Sequence, residues 1–131
     1  MKVVKQISIY LENRPGTLAE IANTLSDRKI NVEAFMVSEA VDYAVVRMVV
    51  SDPDTAIHVL GDRGLLVIEN FIIALALKNR PGQLVKISER LGKAKVNIHY
   101  AYGSAGTSGG SGVLFVRVSH LEKAQQVLKG L

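Results

Sequence analysis

The stretch Leu11-Glu12-Asn13-Arg14-Pro15-Gly16 returns 66 positions later as Leu77-Lys78-Asn79-Arg80-Pro81-Gly82. What surrounds it returns as well. Ile7, Ile9, Leu18, Ile21, Leu25, Ile30, Asn31 and Val32 match Ile73, Leu75, Leu84, Ile87, Leu91, Val96, Asn97 and Ile98. A fixed period of this length marks a duplicated supersecondary unit. Two units are therefore expected, residues 1–69 and 70–131. Each is near the lower size limit for folding alone, so each should lean on the other or on a second chain.

Hydrophobic periodicity changes sharply at the repeated turn. Val3 to Leu11 alternates as a strand, with Ile7, Ile9 and Leu11 on one face and Ser8 and Tyr10 on the other. After Gly16 the apolar residues Leu18, Ile21, Ala22 and Leu25 follow the spacing of a helix lying on a core, which should stop near Lys29. Strands are expected over 30–37 and 43–50. A second helix follows, capped by Asp52, with Pro53 in its first position and Ala56, Val59 and Leu60 on its buried side. Gly61-Asp62-Arg63-Gly64 ends it, and a fourth strand is expected over 65–68.

The second unit repeats this order with strands over 71–77, 96–102 and 113–118 and a helix carrying Leu84, Ile87 and Leu91. Its last helix has a capping-box spelling, Ser119 with Glu122, and should bury Ala124, Val127 and Leu128. Gly103 to Gly112 holds only Gly, Ser, Ala and Thr, and is expected to be a mobile hairpin loop. Leu131 falls where a fourth strand should begin, so the second unit lacks one strand and leaves a sheet edge open. The fold class is α+β: two ferredoxin-like βαββαβ units, antiparallel sheets with helices on one face. Val45 and Val49, and Val113 and Phe115, make the face away from the helices apolar too. Burying it at ~25 cal/mol per Å² favours sheet-on-sheet packing or a sheet continued across units.

Composition excludes several classes of function. Apolar residues make up 48% of the 131, spread through both halves, which argues against disorder. No apolar run approaches a membrane span and no signal-peptide core follows Met1, so no membrane is expected and the location expected is cytoplasmic. Zero cysteines exclude disulfides, thiol catalysis and thiolate metal sites. The excess of 16 basic over 12 acidic side chains is scattered, and the seven aromatics are few for base stacking, so no nucleic-acid partner is expected. His58, His99 and His120 lack metal spacing, and no cofactor is expected. His99 alone is notable, placed by alternation on the face of Asn97. No Gly-x-Ser-x-Gly elbow is present, and the Gly-rich run lacks the Lys of a phosphate loop, so the protein is expected not to be an enzyme.

The candidate site lies at the repeated turns: Asn13, Arg14, Pro15, Gly16 and Asn31, with Asn79, Arg80, Pro81, Gly82 and Asn97. Pro fixes φ and Gly accepts positive φ, so Pro-Gly makes a tight strand-to-helix corner whose first free N–H groups suit a carboxylate. A lone Pro-Gly more often only turns the chain. Here the adjoining Asn-Arg is copied too, and so is a second Asn 18 positions on. An Asn amide donates and accepts, matching a zwitterion; Asn31 and Asn97 equally suit capping of the preceding turn. Arg14 and Arg80 can pair with a carboxylate, though a turn arginine is more often solvated.

The pattern Asn-Arg-Pro-Gly-x-Leu, a helix, then Ile/Val-Asn-Val/Ile resembles the ACT domain, a small regulatory fold that binds amino acids. The resemblance covers both halves and is greatest to stand-alone pairs of ACT domains. It implies an amino-acid ligand bound across an interface between domains, held by Asn13 and Asn31 in one unit and by Asn79 and Asn97 in the other. Leu11 and Leu77 stand where serine-sensing members have a His, and Lys29 and Lys95 where members tend to have Gly.

The expected function is a non-catalytic amino-acid-sensing regulatory module that binds its ligand at the interface between units and acts as a homodimer, with a metabolic enzyme as a partner. The alternative is a regulatory subunit of an amino-acid biosynthetic enzyme such as acetohydroxyacid synthase. A ferredoxin-like RNA binder would need exposed aromatics on the central strands, where Phe115 stands alone.

Overall fold

The structure, a computed structural model, describes all of residues 1–131. Its elements are β1 (Lys2–Glu12), α1 (Thr17–Asp27), β2 (Val32–Glu39), β3 (Tyr43–Val50), α2 (Pro53–Asp62), β4 (Leu66–Lys78), α3 (Gln83–Lys93), β5 (Ile98–Ser104), β6 (Ser111–Val118) and α4 (Leu121–Leu128). Two units pack separately: Lys5–Asn70, and Met1–Val4 together with Phe71–Leu131.

In the first unit β3 lies between β2 and β1, antiparallel to both, and the 66–70 part of β4 lies beside β1. Ile7 faces Met48 and Ile9 faces Val46 across the ladder. Alternation sends these four to one side, where they meet Ile21 and Leu25 of α1 and Ala56, Val59 and Leu60 of α2. Burying a side chain such as Leu25 in this way stabilises by roughly 1.5–3 kcal/mol. The second unit repeats the arrangement with β6 between β5 and β4. Its core gathers Ile73, Leu75, Ile87, Leu91, Val116, Ala124 and Leu128. The chain ends after α4 without a further strand, and Met1–Val4 joins this unit in the place such a strand would take.

The helix ends follow local chemistry. Asp52 accepts from the Thr55 N–H at 3.2 Å, and Pro53 opens α2. Helix α1 closes with Lys29 N–H on Ser26 O and Ile30 N–H on Leu25 O, and α3 repeats this with Lys95 on Gly92 and Val96 on Leu91. These are Schellman closures, which require a left-handed residue one past the cap. Lys29 (φ 57°) and Lys95 (φ 58°) supply it where Gly would be easier.

Several expectations are corrected. The strands read as 65–68 and 71–77 are one strand, β4, because Glu69-Asn70 contains no Gly or Pro to break it. Leu18, Ala22 and Leu84 are exposed; the core faces of α1 and α3 begin at Ile21 and at Gln83. Leu18 and Leu84 stand in first turns, beyond the apolar residues that the strands offer. Ser119 does not cap α4: His120 is the N-cap residue, and no side chain caps that end. The Gly-rich run is hydrogen-bonded: β5 and β6 extend into it, and Gly110 N–H bonds Thr107 O at 2.9 Å. A Cβ at Gly112 would collide with Ser104 O, which is why this hairpin is built from glycine.

Candidate functional site

Both repeated turns adopt one backbone geometry. Gly16 (φ 91°, ψ −11°) and Gly82 (φ 89°, ψ −10°) are the left-handed N-cap residues of α1 and α3, and neither helix has a side-chain cap. Free space surrounds the Cα of each, so positive φ alone demands glycine here. The first helical bonds run from Glu20 N–H to Gly16 O and from Lys86 N–H to Gly82 O, both 3.1 Å. The N–H groups of Leu18 and Ala19, and of Leu84 and Val85, are left pointing outward at the positive end of each helix. Pro15 and Pro81 are exposed beside them.

The side chains make the two turns chemically different. Around the first stand Glu12, Glu20 and Glu39. Arg14 bonds Glu12 at 3.2 Å and Glu20 at 3.4 Å, and the bond to Glu12, followed by the charge of Glu20, raises the guanidinium pKa. Asn13 donates its amide to Glu39 at 3.4 Å. Around the second turn Lys78 and Lys86 replace Glu12 and Glu20. Arg80 is exposed, and its guanidinium makes no hydrogen bond or ion pair within the chain. Asn79 lies under the hairpin, its N–H on Gly110 O at 2.9 Å and its amide on Gly106 O at 3.0 Å. The second turn is thus the more attractive one for a carboxylate, and the first already carries its own.

The strand-start asparagines are held through their main chains. Asn31 N–H bonds Ser51 Oγ and Ser51 N–H bonds Asn31 O, each 2.9 Å; Asn97 and Ser119 repeat both bonds at the same lengths. The Asn31 and Asn97 side chains are exposed and bond nothing within the chain, so they do not cap the preceding turns. Two residues on, each strand carries a β-bulge, between Val32 and Ala34 and between Ile98 and Tyr100. The bulge breaks the alternation that placed His99 on the face of Asn97.

Asn13 and Asn31 are not brought together within one unit. Asn13 meets Glu39 at the far end of β2, whereas Asn31 precedes its first residue. Eight strand residues separate them by about 25 Å. Asn79 and Asn97 stand at opposite ends of β5 in the same manner. Sequence reasoning missed Ser51, Ser119, Glu39 and the hairpin carbonyls. The serines were hidden because the longer β5–β6 hairpin shifts the repeat from 66 to 68 positions beyond it, as Asn31–Ser51 and Asn97–Ser119 show.

A family model described as an ACT domain pair matches residues 1–130. The chain belongs to this family. Among solved structures, this ACT pair is similar to a protein of Bacteroides thetaiotaomicron, 34% identical, with a TM-score of 0.89 over 97% of this chain and 87% of that one. It is also similar to the ligand-free regulatory subunit of aspartate kinase from Thermus thermophilus, 16% identical, TM-score 0.70, covering 98% and 95% of the two chains. The corresponding subunit from Thermus flavus is 16% identical, with a TM-score of 0.65 over 97% and 94%. At 16% identity the likeness of the ACT pair to these two is one of fold. No curated protein matches the chain.

Proposed function

We propose that this ACT pair is a non-catalytic regulatory module that binds an amino acid at its repeated turns and passes the binding on as a change in assembly. The observation that carries the reading is the doubling of one exposed constellation in a chain of this family. Each unit has a left-handed glycine N-cap without a side-chain cap, an exposed Leu two residues on, and a strand-start Asn with a free amide. The helix N–H groups suit a carboxylate, and the amides suit an ammonium or a second polar group. Because the turn Asn and the strand Asn of one unit lie at opposite ends of a strand, a ligand touching both types must join two ACT units, which favours a homodimer. Ligand then stabilises the joined arrangement, and a partner preferring that arrangement responds.

A second reading makes the chain a regulatory subunit of an amino-acid biosynthetic enzyme. Its likeness in fold to regulatory subunits of aspartate kinase favours this. Copurification with a much larger catalytic chain distinguishes it.

A thermal-shift screen against the twenty amino acids tests the first reading. Ligand at 100 times its dissociation constant adds about 2.7 kcal/mol, a rise of several degrees. Silence from all twenty would remove amino-acid sensing. With a hit in hand, Asn79→Ala and Asn97→Ala should each weaken it, and unchanged binding in both would exclude the second turn.

A further inference from the structure

A cleft of about 220 Å³ opens on the helix side of the first unit, between α1 and the corner joining α2 to β4. Its floor is apolar, from Leu11, Ile21 and Leu65, and its polar wall includes Arg14, Glu20 and Arg63. Of the first unit's candidate residues only Arg14 borders it; neither Asn13 nor Asn31 lines it. We infer that this cleft is a second binding site, for a small amino acid with an apolar side chain, with Arg63 receiving the carboxylate and Glu20 the ammonium.

Three observations converge on that ligand. Arg63 is presented rather than neutralised. Its Nη1 donates to Thr24 Oγ1, and that hydroxyl in turn donates to Glu20 O at 2.9 Å, so the guanidinium is oriented by a group without charge. No carboxylate pairs with it, and its remaining N–H groups are open to a planar acceptor. Charge in the cleft is balanced: Arg14 and Arg63 oppose Glu12 and Glu20, and Arg14 holds Glu20 only at 3.4 Å, longer than a close charge-assisted bond, so that carboxylate can still take an ammonium. A zwitterion preserves that balance, whereas a simple anion or cation would not. Size sets the third limit, since the volume is below the ~300 Å³ at which sites for drug-sized ligands begin. The apolar floor then selects a short aliphatic side chain.

The duplication supplies an internal contrast. The floor is retained in the second unit as Leu77 and Ile87, but the polar wall is not: Lys78 and Lys86 stand for Glu12 and Glu20, and Gln83 for Thr17. Gln83 is buried. Arg90, at the position of Thr24, turns its guanidinium onto the carbonyls of Val127 and Lys129 at 3.3 and 3.1 Å. The groups that would hold a zwitterion belong to the first unit alone.

The test is an NMR titration of the full chain with L-valine, following the backbone amides. Shifts should appear at Leu11, Ile21, Thr24 and Leu65 and saturate with a single affinity. Arg63→Ala, an exposed change, should weaken that affinity by about tenfold or more. Thr24→Val should weaken it less. Isovalerate, which keeps the carboxylate and the branched chain but lacks the ammonium, should bind more weakly than L-valine. The inference is overturned if these amides do not shift, if Arg63→Ala binds as the parent does, or if isovalerate matches L-valine. Loss of the shifts in Asn13→Ala but not in Arg63→Ala would place the ligand at the turn instead.

Discussion

Asn31 and Ser51 exchange two hydrogen bonds of 2.9 Å, the main-chain N–H of Asn31 donating to the serine hydroxyl and the serine N–H returning to the asparagine carbonyl. The pair pins the start of β2 to the end of β3, immediately before the bulge, and leaves the Asn31 amide facing outward. Asn97 and Ser119 do the same between β5 and β6. Replacing either serine by alanine removes an acceptor and should cost about 1 kcal/mol. Chemical denaturation of Ser51→Ala and Ser119→Ala checks this, and a cost in only one of them would show that the two units do not use the pair alike.

Lys29 and Lys95 occupy the left-handed position of their Schellman closures. Lys29→Gly and Lys95→Gly should each raise stability by about 1 kcal/mol, since only glycine adopts this φ without steric cost. Lys29→Ala should bring no such gain. Equal melting temperatures for the Gly and Ala variants would contradict the torsional explanation.

At Gly16 and Gly82 the expectation reverses. A Cβ meets nothing at either position, so Gly16→Ala and Gly82→Ala isolate the cost of positive φ, about 1–2 kcal/mol each. Urea unfolding measures it. Little or no loss would mean that the turn can relax out of the left-handed region.

Hydrogen exchange should separate the two turns. Asn79 N–H is bonded to Gly110 O and should be protected, while Asn13 engages only its side-chain amide. Gly112→Ala, which drives a Cβ into Ser104 O, should disturb the hairpin and speed exchange at Asn79. Retained protection in that variant would show that the turn holds its amide without the hairpin.

The pH dependence has two signed contributions. The bond from Thr55 lowers the Asp52 pKa, so the cap stabilises fully above the unfolded aspartate value and is lost as pH falls through the folded one. Pairing with Asp54, then Glu69, outweighs desolvation and raises the Lys5 pKa. That contribution is present below the unfolded lysine value and is lost as pH rises through the folded one. Melting curves of Asp52→Asn should therefore be less acid-sensitive than those of the parent, and those of Lys5→Met less alkali-sensitive.

Much of the fold was legible because it is encoded locally. The repeat, the α2 cap at Asp52, the span of β3 and the buried faces of α2 all follow from spacing and from residues that prefer one backbone geometry. The repeated turns could be picked out from the sequence, but the pairing state of their side chains could not. That the Arg14 charge is engaged and Arg80 is free depends on which acids lie nearby, and the substitution of Lys78 and Lys86 for Glu12 and Glu20 was the available signal.

The sequence by itself determined the duplication, which is written as a repeat of 66 positions, and the glycine corners and ferredoxin-like order of each unit, which rest on torsional preference or on periodicity within a dozen residues. Only the tertiary structure decided the rest. It placed Met1–Val4 with the second unit, laid the Gly-rich hairpin on Asn79, left Leu18 and Leu84 exposed, and set Asn13 and Asn31 at opposite ends of β2. Each of these depends on where residues distant in sequence meet, and strand pairing and packing set such meetings, which no local pattern records.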